Sequence, residues 1–298
     1  MWDAPSSTSR PTRAKGFMGT KANSVQVAPL GEQYLQFHAR GFRRSLLRWF
    51  GRNGRDLPWR RTRDPYHIMV SEFMLQQTQV VRVEGYYHRF LARYPTLEDL
   101  ASAPPAMVRE SWEGLGYYRR AVNLHRLAQE LVQNRGGIIP SDTEELRRLP
   151  GIGRYTAAAV ASFAFEREVT PIDTNVSRVL RRVFHSRARF RTMPHRLERS
   201  AAMLLPRGGR KAWMFNQAIM ELGALICTAR APHCEICPVR AICQTAVGGA
   251  GRTISASRRR RAQPGRESPQ SRRQSAGGLA VRRSSGPLHR QDPTAPVG

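Results

Sequence analysis

The four cysteines of this 298-residue chain, Cys227, Cys234, Cys237 and Cys243, follow one another as C-x6-C-x2-C-x5-C, with none elsewhere. Four thiols gathered in one short stretch read as the ligand set of a single metal centre. A disulfide framework spreads its cysteines through a small secreted domain instead. The step from Cys234 to Cys237 turns two ligands toward one face. Zinc also takes four thiolates, usually from two paired C-x2-C knuckles. Here there is one close pair flanked by wide, unequal gaps, which suits a cubane [4Fe–4S] cluster held at its corners. The cluster is the expectation; zinc and a metal-free quartet are the alternatives.

A second chemical signal is Leu149-Pro150-Gly151-Ile152-Gly153-Arg154-Tyr155-Thr156-Ala157. One helix ends, two glycines turn the chain, and another helix starts at once. Such a hairpin offers unpaired N–H groups of Gly151, Gly153 and Arg154 to a phosphate without reading sequence. An ordinary αα-corner also favours glycine. Two carboxylates stand out as well. Asp173, in Pro171-Ile172-Asp173-Thr174-Asn175, sits where a helix cap is expected. Held ionised there, it could stabilise a positively charged sugar. Glu72, in Val70-Ser71-Glu72-Phe73-Met74, is an acid among apolar neighbours. Projecting outward it would be inert; turned inward, desolvation would raise its pKa and make it a proton donor.

The elements that must position these groups are helical. Phe42, Leu46, Leu47 and Phe50 form one apolar face, and Ile68–Val81 is a second long apolar segment. Leu124, Leu127, Ala128 and Leu131 make another face, stopped by Gly136-Gly137. Val176, Val179, Leu180 and Val183 repeat after Pro171. No alternating strand and no internal repeat is evident, so the fold class is all-α. The chain carries 49 Lys and Arg against 22 Asp and Glu, a net charge of +27. About +15 of that falls on residues 41–243, which points to a polyanionic partner, though an arginine-rich genome also contributes. Residues 1–33 and 244–298 lack core-forming composition and read as disordered; the second tail alone carries +9. Neither an export signal nor a membrane span is evident, so the expected location is cytoplasmic.

Taken in order, these segments resemble the adenine DNA glycosylases of the helix-hairpin-helix superfamily. The motifs are Pro58-Trp59-Arg60, Asp64-Pro65-Tyr66, Ser71-Glu72, Met74-Leu75-Gln76-Gln77-Thr78-Gln79-Val80 and Trp112-Glu113-Gly114-Leu115-Gly116-Tyr117-Tyr118. The hairpin, Asp173-x-Asn175-Val176-x-Arg178, Asn216-Gln217-Ala218 with Glu221-Leu222-Gly223, and the cysteines complete the series. The resemblance implies two helical lobes with a DNA cleft between them. One is a six-helix barrel over 65–171; the other is a cluster lobe over 172–243, joined by an N-terminal helix and turn over 34–64.

It also implies roles. Glu72 would protonate adenine, Asp173 would stabilise the sugar cation, and Tyr155 and Asn175 would support them. Trp59, Arg60 and Glu221 would line the base pocket. Gln77, Thr78 and Tyr117 would probe the gap left by the base. The partner would be double-stranded DNA carrying A opposite 8-oxoguanine or G, bound by a monomer. Position 155 separates reaction types: related enzymes that cut the strand carry a lysine nucleophile there, and this chain has Tyr155. Hydrolysis without strand cleavage is expected. Family members continue into a further C-terminal domain that residues 244–298 do not resemble, so a weaker preference for oxidised guanine is expected. The rivals are a related glycosylase acting on thymine and a catalytically idle iron–sulfur DNA-binding protein.

Overall fold

A computed structural model describes residues 30–186 and 193–247. Twelve α-helices are described: α1 (Leu30–Asn53), α2 (Pro65–Leu75), α3 (Val80–Arg93), α4 (Leu97–Ser102), α5 (Pro105–Glu110), α6 (Arg119–Arg135), α7 (Thr143–Arg147), α8 (Arg154–Phe165), α9 (Thr174–Phe184), α10 (Met193–Leu204), α11 (Gly209–Leu225) and α12 (Gln244–Val247). Among the described residues there is no strand. No described helix is long and apolar enough to cross a membrane.

Two hydrophobic cores organise these helices. The first gathers Trp59, Phe73, Phe90, Trp112, Leu124 and Val160 from the segments between Leu57 and Ala164. The second gathers Leu35, Phe42, Leu46, Leu180, Phe184 and Phe215, joining α1 to α9, α10 and α11. Met220 of α11 packs against both cores, and α11 contacts both α8 and α9. That helix is the seam along which groups from the two cores meet.

Local chemistry sets the helix ends that matter for the site. Asp64 caps α2 by accepting from the His67 N–H, and Pro65 occupies the first turn, where a missing N–H costs nothing. From Tyr66 to Met74 only His67 escapes full burial, so α2 is a core helix and not an amphipathic one. Its acid at position 72 therefore has no outward route. Asp142 caps α7 through the N–H groups of Glu144 and Glu145. Gly136, at φ 59°, ends α6 in the left-handed conformation expected of the Gly136-Gly137 stop.

Three boundaries differ from the sequence reading. The chain is already helical at Leu30, inside the segment expected to be irregular, and Glu32 of that first turn pairs with Arg199 of α10. The apolar stretch Ile68–Val81 is two helices, α2 and α3, parted by residues 76–79, with Gln77 at φ 58°. Gln244–Val247 is helical, its Thr245 hydroxyl donating to the Arg182 carbonyl at 2.8 Å. The remaining expectations for both tails, residues 1–29 and 248–298, lie outside the described residues.

Candidate active site

Glu72 is 4% exposed on α2, and its Oε2 is buried without a hydrogen-bond partner. Burial pushes its pKa from an ordinary 4.5 to about 7. The Tyr155 hydroxyl of α8 works against burial by favouring the charged form, and the nearby Asp173 carboxylate adds to the rise. Because α2 packs directly on α8, Tyr155 faces Glu72 across that contact. The phenol itself is held well above its ordinary pKa, by burial first and then by the two carboxylates, so it stays a donor.

Asp173 is the N-cap of α9. Its Oδ1 accepts from the Val176 N–H at 2.7 Å, and its Oδ2 accepts from Asn175 Nδ2 at 2.8 Å. These bonds favour the carboxylate, yet burial outweighs them and the pKa is raised. Capping therefore reduces the upward shift without reversing it. Asn175 in turn accepts at Oδ1 from Arg178 Nη2, at 2.6 Å. The same guanidinium donates to the carbonyls of Gly223 (2.8 Å) and Cys227 (2.7 Å). Gly223 is required here, since a Cβ would lie 2.7 Å from Cβ of Asn175.

The residues assigned to the base pocket divide. Trp59 belongs to the first core, edge-on to Tyr87 with centroids 5.4 Å apart. It is a packed wall and not an open face. Glu221, 1% exposed on α11, is gripped by two guanidiniums: Arg55 Nε at 2.8 Å and Nη2 at 2.9 Å, and Arg60 Nη2 at 2.8 Å. Burial alone would raise its pKa; the two arginines outweigh that and hold it at about 2. Arg60 also donates to Gln217 Oε1 at 2.7 Å. Glu221 and Arg60 thus satisfy each other. Arg55 was not singled out from the sequence, and Gln217 and Arg178 entered only as motif residues without a role. The i, i+4 spacing of Gln217 and Glu221 was the available signal, because it puts two acceptors on one face for one arginine.

The probing residues lie on two loops. Gln77 is exposed between α2 and α3, with Thr78 half-buried beside it. Tyr117 is 61% exposed at φ 50°, so its ring lies outside the core. In the hairpin, Gly151 at φ 76° makes the turn, and a Cβ there would meet Asn123 at 2.7 Å. Gly153 precedes α8 with no side-chain cap, leaving the helix N-terminus open. Arg154 is exposed and paired with Glu198 of α10.

The cysteines are all free and half-buried. Cys227, Cys237 and Cys243 pack against the second core. Burial pushes the Cys237 thiol up to about 11, and the other three sulfurs add to the rise, so the four face one another. A negative centre here would be met by Arg182, whose Nη1 lies 3.4 Å from Cys227 Sγ, and by Arg178. Among the described residues no three His, Cys, Asp or Glu side chains close around a single ion. Soft thiolates, an apolar wall and flanking guanidiniums fit an iron–sulfur cluster.

With that geometry in view, comparisons with known proteins identify the class. Residues 70–206 match the family model of HhH-GPD superfamily base excision DNA repair proteins, and residues 227–243 match the iron-sulfur binding domain of endonuclease III. The chain belongs to the HhH-GPD superfamily, and the matched iron-sulfur domain, which spans all four cysteines, marks it as a [4Fe–4S] cluster protein. Within that class it is similar to adenine DNA glycosylases. The Rattus norvegicus protein is 40% identical over 80% of this chain and 49% of its own length. The Mycolicibacterium smegmatis protein is 46% identical over 65% of this chain and 66% of its own length. This chain therefore spans less than two thirds of either relative. A solved structure described as a thermostable thymine-DNA glycosylase superposes with a TM-score of 0.66 at 31% identity, over 71% of this chain and 98% of that one.

Proposed function

We propose that the chain is a monofunctional DNA glycosylase of base-excision repair that hydrolyses the N-glycosidic bond of adenine paired with 8-oxoguanine or guanine in duplex DNA. The observation that carries this reading is Glu72: buried, with an unpartnered oxygen, at a pKa of about 7 and beside a second carboxylate. A general acid works best when its pKa lies near the working pH. Adenine is a poor leaving group as an anion and leaves as a neutral base once a ring nitrogen is protonated.

The proton comes from the Glu72 carboxyl, oriented by Tyr155. As the bond breaks, positive charge grows on the sugar, and the Asp173 carboxylate, aimed by Val176 and Asn175, stabilises it. Water then completes the hydrolysis. Extruding the adenine from the duplex costs a few kcal/mol, which binding must supply. Tyr117, Gln77 and Thr78 are the exposed groups placed to enter the gap. The open N-terminus of α8, with Gly151, Gly153 and Arg154, suits a backbone phosphate. Cys227, Cys234, Cys237 and Cys243 hold the cluster, which ties their loop to the second core and supplies no proton. Tyr155 stands where an amine nucleophile would be needed for strand cleavage, and Lys211 is exposed in the first turn of α11.

The test is single-turnover excision from duplexes carrying A opposite 8-oxoguanine, A·G and G·T, with Glu72→Gln as the control. Adenine release, a strand left intact until alkali treatment, and loss of at least about 100-fold in the variant are expected. Faster release of thymine from G·T would transfer the assignment to the thymine enzymes that the solved neighbour represents. Near-normal excision by Glu72→Gln would remove Glu72 from the chemistry.

A further inference from the structure

Arg120, the second residue of α6, is 6% exposed, and no carboxylate pairs with it among the described residues. A buried charge without a counter-ion is costly unless dipoles replace the water it has lost. Here they do. Nη1 donates to the carbonyls of Phe73 (3.0 Å), Met74 (2.6 Å) and Gln76 (2.6 Å). Nη2 donates to Thr78 Oγ1 (3.0 Å) and to the carbonyls of Leu115 (3.3 Å) and Gly116 (3.0 Å). The guanidinium also lies 5.6 Å from the ring centroid of Tyr117 and 5.5 Å from that of Trp112.

These acceptors form a pattern. Phe73, Met74 and Gln76 are the last carbonyls of α2 and its exit, where a helix end leaves acceptors unfilled and a cation is favoured. That is the helix that carries Glu72. Thr78 follows Gln77, while Leu115 and Gly116 lead into Tyr117. Among the described residues only three non-glycines have positive φ, and two of them are Gln77 and Tyr117. Left-handed backbone at such side chains persists only where its surroundings over-determine it. One planar fork holds both strained loops and the end of the acid-bearing helix at once. Its two nitrogens divide the work, Nη1 on the helix end and Nη2 on the loops.

We infer that Arg120 is a positioning residue that locks the Gln77–Thr78 loop and the Tyr117 loop in fixed register with the Glu72 helix, so that a base extruded by the loops arrives where the acid can protonate it. The inference rests on the glycosylase reading proposed above. Arg120 touches neither base nor sugar. Its loss should impair extrusion and delivery while leaving the environment of Glu72, and so the pH midpoint of the chemistry, in place.

The test uses the full-length, cluster-loaded protein and two readouts. The first is single-turnover excision of adenine opposite 8-oxoguanine. The second is fluorescence of 2-aminopurine in the target position, which rises when the base leaves the stack. Arg120→Met should lower the excision rate about 100-fold, the scale of a misplacement near 1 Å, and suppress the fluorescence rise. The pH midpoint should stay at the wild-type value, with duplex affinity within about threefold, since no phosphate contact is removed. Arg120→Lys should recover about a tenfold part of the loss, because an ammonium reaches some of the carbonyls but not both loops.

If Arg120→Met does not fold, Thr78→Val in wild-type and Arg120→Lys backgrounds decides the matter. Losses smaller in combination than their product support the coupling; simply multiplicative losses would show that Thr78 acts on DNA alone and overturn it. Wild-type fluorescence and excision in a folded Arg120→Met protein would also overturn it. Failure of the wild-type protein to release adenine at all would instead remove the glycosylase reading.

Discussion

Three carboxylates of the site have been driven to different ends of the titration range by their neighbours alone. Glu72 is lifted to about 7 by burial, Glu221 is pulled to about 2 by Arg55 and Arg60, and Asp173 is raised despite its cap. If Glu72 must be protonated and Asp173 charged, the single-turnover rate against pH should be a bell. Its upper limb should fall tenfold per unit above about 7, and Glu72→Gln should abolish that limb. Stability should move the other way. A carboxyl whose folded pKa is raised contributes fully below its unfolded value near 4.5 and loses that contribution as pH rises through about 7. Glu72→Gln should therefore be more stable than wild type at pH 8, by up to about 3 kcal/mol, and no more stable at pH 4. Urea melts at the two pH values check this, and equal stability at both would contradict the burial of the charge. Glu221 has the opposite sign, its stabilisation being present above 4.5 and lost as pH falls through about 2. Glu221→Gln should cost about 3 kcal/mol at pH 7, since two guanidiniums lose their charge partner, and progressively less as pH falls toward 2. The sequence announced Glu72, Asp173 and Glu221 as acids, but the sign of each shift depends on groups tens of residues away.

At the scale of elements, the hairpin between α7 and α8 tests what its two glycines are for. Gly151 has φ 76° and would drive a Cβ into Asn123 of α6, so Gly151→Ala should destabilise the fold by about 1–3 kcal/mol. Gly153 has ordinary φ and nothing within 4 Å of the position a Cβ would take. Gly153→Ala should leave the melting temperature within a degree or two of wild type and yet weaken duplex binding, by crowding the N-terminus where a phosphate would sit. Thermal melts beside fluorescence-anisotropy titrations separate the two; unchanged affinity in Gly153→Ala would leave the hairpin a plain corner. Helix faces such as Val176, Val179, Leu180 and Val183 were legible because one buried stripe at a 3.6-residue period admits few readings. The break between α2 and α3 was not. Its only signal is the polar run Gln76-Gln77-Thr78-Gln79 within the apolar stretch, and the carbonyls it leaves at the helix end are satisfied by the guanidinium of Arg120, forty-odd residues on. Trp59 and Glu221 show the same limit, since a linear motif does not tell that packing against Tyr87 and pairing with Arg55 and Arg60 hold them in place.

Across the whole molecule, the proposed chemistry draws on both cores, Glu72 and Tyr155 from the first and Asp173 and Asn175 from the edge of the second. The second core is also the one against which the cluster loop is packed. Tyr34 of α1 donates to the Ile242 carbonyl at 3.0 Å, Arg182 of α9 donates to the Thr228 carbonyl at 2.7 Å, and Arg178 joins the Cys227 carbonyl to Asn175. A loop held by four metal–sulfur bonds is a rigid anchor for these contacts; without them it is a chain of mostly irregular backbone with little core of its own. Part of the cluster's binding energy is therefore folding energy for this half of the protein. Removal of the cluster by anaerobic chelation, or Cys237→Ser, should abolish the absorbance near about 400 nm. Amide exchange should then accelerate in α1, α9 and residues 227–243, with α2, α6 and α8 keeping their protection, because the first core contains none of the cysteines. Excision should fall with the protection of α9, since the cap that aims Asp173 lies at that helix's first turn. Unchanged exchange in α9 together with wild-type excision by cluster-free protein would show that the two cores do not depend on the cluster to bring their acids together.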